Sequence, residues 1–381
     1  MSTEQLSITD VTVPPPGLPR FPKEMNLCIT GRCNLKCRYC FYADEMSARN
    51  DLPTERWLAL FEELGELGVQ RVCLSGGEAF TRKDIFELID GVVASKMRYQ
   101  MLTNGTLITP DTVKAFEVGK RRLRLDSIQV SIDGSRAEIH NRSRPPNSFD
   151  RALAGLRLLK AAGFPVTVRV TVNRANLDDL PNVARLLLED VGLRSFSTNE
   201  AETMGSARCY GDSMVLTPAE RRRAMTTLAD LNKKYDGRIN ANAGPLALAK
   251  HFAEIEESLA RGETSRPGRG KLCACGGVFG KMAILHDGTI VPCDMLPTLT
   301  MGVFGLHSLA DAWRSSPAIN AVRYRHDIHL ESLPSCRGCA YMGFCTGGCP
   351  ASVMARLGKL NARDPLVCYR IFKGEEPGDA V

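Results

Sequence analysis

Cys33-Asn34-Leu35-Lys36-Cys37-Arg38-Tyr39-Cys40-Phe41 follows directly on a short apolar run, residues 25–30, that reads as a β-strand. Three thiols at spacings of four and three, with nothing bulky between them, occupy one loop. A Cys-x3-Cys-x2-Cys run supplies three corners of a tetrahedral thiolate shell and leaves the fourth open. Iron–sulfur clusters are held by Cys thiolates, normally four. Structural zinc sites close their fourth position with another residue and favour Cys-x2-Cys pairs. The spacing therefore points to a cluster with one iron free to bind something else.

Working outward, strand and helix patterns alternate. Residues 54–67 repeat with helical period (Trp57, Leu60, Phe61, Leu64) and stop at Gly68. Strand-like runs at 71–75, 99–103, 127–132, 166–172 and 195–198 alternate with helical stretches at 84–96, 110–118, 149–162 and 180–188. Strict alternation of six strands with helices implies a parallel sheet with helices outside it, and right-handed crossovers curl it toward a partial barrel. The unusual residues fall where strands end: the cysteine loop, Gly76-Gly77-Glu78, Asn104-Gly105, Ser131-x-Asp133 and Asn173. That rim is where such barrels place their chemistry. Gly76-Gly77 lets backbone approach a ligand, because no Cβ intervenes. Glu78 can accept from a ligand ammonium, and Asn104 either serves the site or shapes an Asn-Gly turn.

The totals agree with a globular, intracellular protein. The chain has 381 residues, 44% hydrophobic and 24% charged, with a formal charge of +6, enough for two domains. No basic block argues for nucleic acid and no run for a membrane span. The first 25 residues, with Pro14-Pro15-Pro16, lack a signal-peptide core. With 14 cysteines and no sign of secretion, metal clusters are a better use than disulfides, and a cytoplasmic location is expected.

The cysteine loop, with Tyr39 just before its last thiol, resembles the radical S-adenosylmethionine (SAM) superfamily signature, and Gly76-Gly77-Glu78-Ala79 resembles that family's Gly-Gly-Glu-Pro motif with Ala in the last position. The resemblance implies a partial (β/α)6 TIM-like barrel and a [4Fe–4S] cluster on Cys33, Cys37 and Cys40. Its open iron chelates the amino and carboxylate groups of SAM. It also implies Tyr39, Gly76, Gly77, Glu78 and Asn104 around the cofactor, Ser131 and Arg144 at the SAM carboxylate, and Asn173 at its ribose or carboxylate. For Ser131, Arg144 and Asn173 a strand-end cap or a solvated charge is the competing reading.

After residue 200 the repeat breaks. Helices are expected at 217–235 and 246–260, and a polar stretch at 262–270 reads as a boundary. Beyond it lie Cys273, Cys275, Cys293, Cys336, Cys339, Cys345, Cys349 and Cys368, enough for two four-thiolate sites. Residues around Asp287-Gly288 read as a hairpin delivering Cys293. Gly347-Gly348 lets the chain fold tightly. This field resembles the SPASM domain, a C-terminal extension with two auxiliary [4Fe–4S] clusters. By that pattern Cys273, Cys275, Cys293 and Cys349 bind the first, and Cys336, Cys339, Cys345 and Cys368 the second. Zinc on residues 336–349 is the alternative. The resulting division is a flexible arm at 1–24, the barrel at 25–200, a helical linker region at 201–270, the cluster domain at 271–373 and a tail at 374–381.

The resemblance implies reductive cleavage of SAM to a 5′-deoxyadenosyl radical that abstracts hydrogen from a C–H bond. Asp294, directly after Cys293, is either a catalytic base or part of a solvated turn. Cys209, expected in a loop, is either a hydrogen-atom donor or a bystander, and Cys73, inside a strand, reads as core. SPASM-containing enzymes mostly modify peptides, so the expected substrate is a ribosomally made peptide that is crosslinked, given a thioether or epimerised. Its leader would bind elsewhere or to a separate protein, since the arm before residue 25 is too short. A low-potential reductant such as flavodoxin or ferredoxin is implied. The alternatives are a sulfatase-maturing enzyme, a small-molecule (porphyrin) oxidoreductase and, from another class, a non-catalytic iron–sulfur electron carrier.

Overall fold

The computed structural model describes residues 13–46 and 50–375. Residues 1–12 of the expected arm and 376–381 of the expected tail lie outside them. Ten strands form one sheet in the order β10-β9-β8-β1-β2-β3-β4-β5-β6-β7. The six expected strands are β1 (Glu24–Thr30), β2 (Arg71–Gly76), β3 (Arg98–Thr103), β4 (Leu125–Ser131), β5 (Val166–Val172) and β6 (Phe196–Glu200). All pair in parallel with their sequence neighbours.

Strands are added on both edges, one not visible in the periodicity and one foreseen only as a hairpin. β7 (Ile239–Ala241) adds a seventh parallel strand after β6, and at three residues it is too short to show a pattern. On the other edge β8 (Lys281–Ile284) pairs in parallel with β1, and β9 (Thr289–Val291) turns back on it as the expected hairpin. β10 (Gly302–Val303) closes that edge. The cysteine-rich region is thus sewn onto the strand from which the first cysteine loop springs. The stretch at 13–24 is also held: Phe21 is buried, and the Trp313 indole N–H donates to the Pro19 carbonyl at 2.9 Å.

The sheet's two faces have opposite character. Met25, Leu27, Val72, Leu74, Ile128, Val130, Val168 and Val170 pack with the outer helices around Trp57, Leu60, Phe61 and Leu64, all fully or almost fully buried. Each such side chain contributes roughly 1.5–3 kcal/mol. The alternate residues, from Asn26, Cys73 and Gln100 round to Gln129, Arg169 and Asn199, line an internal cavity of about 460 Å³. An ordinary barrel fills that space with branched apolar side chains. Here the period-2 alternation puts polar groups inside.

Candidate active site

The cysteine loop is fixed at both ends. Asp51 accepts from the Thr30 hydroxyl at 2.6 Å and the Gly31 N–H at 2.7 Å, clamping the exit from β1. Further along, the Arg38 N–H donates to the Ser143 carbonyl and the Ser206 N–H to the Cys40 carbonyl. A Cβ on Gly205 would stand 2.2 Å from that Cys40 oxygen, so the turn after β6 can seat on the loop only as glycine. All three thiols line the cavity. Burial pushes Cys33 up to about 11 and Cys40 up to about 12; Cys33 also feels the charge of Cys37, and Cys40 that of both others. The Arg144 guanidinium approaches Cys37, with Nη1 3.9 Å from Sγ.

Around the loop the strand ends form a hydrogen-bonded collar. Asp133, fully buried, accepts from the Tyr39 hydroxyl, from Arg144 Nε at 2.5 Å and from the Thr171 N–H at 2.8 Å. It is the centre of the site and did not figure among the expected cofactor residues. Asn104 joins β3 to the loop, its side-chain amide donating to Asn34 at 2.9 Å. Gly76, Gly77, Ser131 and Asn104 all face the cavity.

Two expected cofactor residues do not. Glu78 is 1% exposed, and its carboxylate accepts from the Thr103 hydroxyl at 2.8 Å and the Asn104 N–H at 2.7 Å. It ties β2 to β3 beside the Gly76–Gly77 backbone. Asn173 is fully buried and closes its own turn, donating to the Thr171 carbonyl and accepting from the Ala175 N–H, each at 2.9 Å. In this structure it is a strand-end cap.

Gly77 allows a direct test. Its N–H donates to the Thr30 carbonyl at 2.8 Å, and a Cβ there would lie 2.2 Å from the Arg32 carbonyl oxygen. Gly77→Ala must push β2 away from the cysteine loop, at roughly 1–3 kcal/mol. A lower melting temperature and reduced iron retention on that loop are expected; wild-type values for both would contradict the close packing.

The downstream cysteines feel one another's charge in two groups. Cys336 and Cys345 each feel the charge of Cys339 and Cys368. Cys293 feels Cys349, Cys349 feels Cys275, and Arg325 feels Cys273, Cys275 and Cys349. Cys275 has φ +64°, a left-handed turn that brings its N–H to within 3.1 Å of the Cys273 sulfur. Among the described residues no three His, Cys, Asp or Glu side chains converge closely enough for a single metal ion. A cube of four irons and four sulfides holds its thiolates further apart than one ion does. Arg325 gives a second sign of fit: fully buried, it donates to the Leu360 carbonyl at 2.6 Å and leaves Nε without a partner. Burial lowers it to about 10, and the nearby thiols pull it back up. A buried cation facing a thiol cluster suits an anionic iron–sulfur group.

Comparison with known proteins agrees. Residues 27–187 match the radical SAM superfamily, and residues 273–340 match the SPASM iron–sulfur cluster-binding domain. The chain is a radical SAM enzyme with a SPASM domain. It is 28% identical to the PqqA peptide cyclase of Ruegeria pomeroyi over 349 residues, 90% of this chain and 86% of that one. It is 27% identical to the AdoMet-dependent heme synthase of Methanosarcina barkeri over 350 residues, 90% of this chain and 95% of that one. The fold matches SuiB of Streptococcus suis, solved with its precursor peptide SuiA, with a TM-score of 0.67, 19% identity and coverage of 92% and 76%. The radical SAM core binds a [4Fe–4S] cluster and SAM, and the SPASM domain binds auxiliary clusters.

Within this radical SAM enzyme the remaining expected residues separate clearly. Asp294 lines the cavity, accepts from the Cys293 thiol at 3.4 Å and is raised above the ordinary carboxylate range by burial. It is therefore not a solvated turn. Cys209 lies on the helix Ala207–Met214, where a loop was expected, and is exposed, lining neither internal cavity. Cys73 on β2, by contrast, faces the cavity and is half-buried, not core. Parity along β2 separates the two kinds of position: Arg71, Cys73 and Ser75 alternate with buried Val72 and Leu74.

Proposed function

We propose that this enzyme abstracts hydrogen from a ribosomally made peptide and matures it by a crosslink, a thioether or an epimerised residue. The observation that carries the reading is the cavity, whose walls mix charged and polar side chains with apolar ones. It begins at the three thiols, runs past Asp294 and Cys73, and reaches the ion-paired residues Glu24, Arg71 and Lys281 at the opposite ends of the strands. Such a channel accepts an extended polar chain. The similarity to a peptide cyclase and the shared fold with a peptide-bound enzyme support it.

When bound, the cluster and SAM supply the one-electron chemistry that opens an unreactive C–H bond. The chain's own residues do the positioning. Cys33, Cys37 and Cys40 hold the cluster. The Gly76–Gly77 backbone, Asn104, Ser131 and Tyr39 shape the SAM side of the cavity, and Arg144, anchored by Asp133, supplies the cation for its carboxylate. Asp294 takes a proton from the substrate, burial having raised its basicity. The two quartets, Cys273/Cys275/Cys293/Cys349 and Cys336/Cys339/Cys345/Cys368, would hold the auxiliary clusters, which would supply one-electron redox capacity, and a flavodoxin or ferredoxin would serve as the external reductant. No helix among the described residues is long and apolar enough to cross a membrane.

A second reading, a tetrapyrrole substrate, is favoured by the near-equal length of the heme synthase relative. Anaerobic incubation of the reconstituted enzyme with SAM, reductant and short peptides encoded beside its gene, followed by mass spectrometry, tests both. A crosslinked peptide loses two hydrogens, and an epimerised one takes up solvent deuterium at Cα. Turnover of a porphyrin precursor with no change in any peptide would replace the first reading by the second.

A further inference from the structure

Several of the charges on the inner face of the sheet are ion-paired. Arg71 and Lys281 share Glu24 at one mouth, and Arg144 is held by Asp133 at the rim. Arg169, on β5, lines the same cavity with no carboxylate partner among the described residues. Its Nη2 donates to Gln129 Oε1 at 3.1 Å, and its buried Nε has no hydrogen-bond partner. Burial pulls its pKa down from the ordinary arginine value, and the Cys73 thiol works against that. A guanidinium with a buried, unpaired N–H and no anion is unfavourably placed, and its planar fork of donors matches the two oxygens of a carboxylate.

We infer that Arg169 binds a carboxylate of the substrate, which in a peptide is an acidic side chain. The inference rests on the peptide reading above. The other carboxylate in the cavity would be that of SAM itself, and the geometry separates the two. Arg144 stands against Cys37 at the rim. β5 pairs Arg169 in register with Ser131, but its side chain turns away to Gln129, two residues deeper on β4. Arg169, Gln129, Cys73 and Asp294 all line this one cavity. A substrate residue held by its carboxylate is thereby presented in the cavity that the thiol loop and Asp294 share.

The test uses the cluster-loaded, SAM-bound enzyme and three probes: N-acetyl-glutamate N-methylamide, its glutamine counterpart, and free glutarate. Binding is measured by calorimetric titration. Wild type is expected to bind the glutamate ligand roughly tenfold more tightly than the glutamine one, as hydrogen bonds to a charged group imply. Arg169→Gln removes that preference. Arg169→Lys, which keeps the charge, retains part of it and so controls for a packing effect. If glutarate binding depends on Arg169 while neither capped ligand binds, the carboxylate site stands and the peptide reading fails. If wild type shows no preference, or Arg169→Gln keeps it, the inference is overturned. It is overturned equally if Arg169→Gln weakens SAM and leaves the preference intact, because the guanidinium would then read the SAM carboxylate.

Discussion

Asp133→Ala is expected to lose on the order of 3–5 kcal/mol of stability, the cost of stranding one partner of a buried ion pair. Asp133 has no exposed surface, and Arg144 has almost none. Removing the carboxylate leaves a buried guanidinium, a tyrosine hydroxyl and the Thr171 N–H without their acceptor. Tyr39 and Arg144 both stand at the cysteine loop, so the damage reaches the cluster as well as the fold. A denaturant midpoint well below wild type, with iron lost first from the Cys33 loop, is the expected result. Asp133→Asn, which keeps one acceptor, falls between the two. Wild-type stability and iron in Asp133→Ala would show that the collar does not hold the loop.

The second large effect concerns the SPASM domain. Arg325→Met removes a buried cation with three thiols of the first quartet in its field and two backbone carbonyls as its hydrogen-bond partners. Groups of this kind around a metal site commonly matter 10- to 100-fold in metal affinity. Faster loss of iron to a chelator is expected from the Cys273/Cys275/Cys293/Cys349 site. The Cys33 loop, held by separate contacts, keeps its cluster. Equal iron loss from all sites would mean general unfolding, and no change would mean that the charge is immaterial there.

Much of this was legible in the sequence, for a physical reason. The thiol loop is set by local spacing, the division of the later cysteines into two quartets is what the family resemblance implies, and six strands announce themselves by β-branched runs such as 166–172. The remainder depends on tertiary partners. Glu78 and Asn173 carry residue types that suit a ligand, but whether a carboxylate or amide turns inward or back onto a neighbouring N–H depends on strands far away in sequence. Asp133 was noted as a strand end, yet its role emerges only when Tyr39, Arg144 and Thr171 converge on it. A helix was expected at 180–188; it forms over Leu180–Arg185 and continues as a π-turn at Leu186–Asp190, which no local pattern foretells. One signal was present and more informative than its first reading. The alternation of Arg71, Cys73 and Ser75, and of Arg169, Thr171 and Asn173, puts polar groups on one face of strands whose other face is aliphatic. Helices cover the aliphatic face, so the polar face must border water or a ligand. That pattern moves Cys73 from core to cavity wall and brings Arg169 into the site.

The central claim is that the three-thiol loop and the collar beneath it support reductive cleavage of SAM. The most direct measurement is 5′-deoxyadenosine formation by the anaerobically reconstituted enzyme with SAM and a strong reductant, beside a Cys33/Cys37/Cys40→Ala variant. The account predicts product from the wild type and none from the variant, while the variant keeps the iron of its auxiliary sites. A wild type with all clusters in place that forms no 5′-deoxyadenosine, with or without peptide, would contradict it.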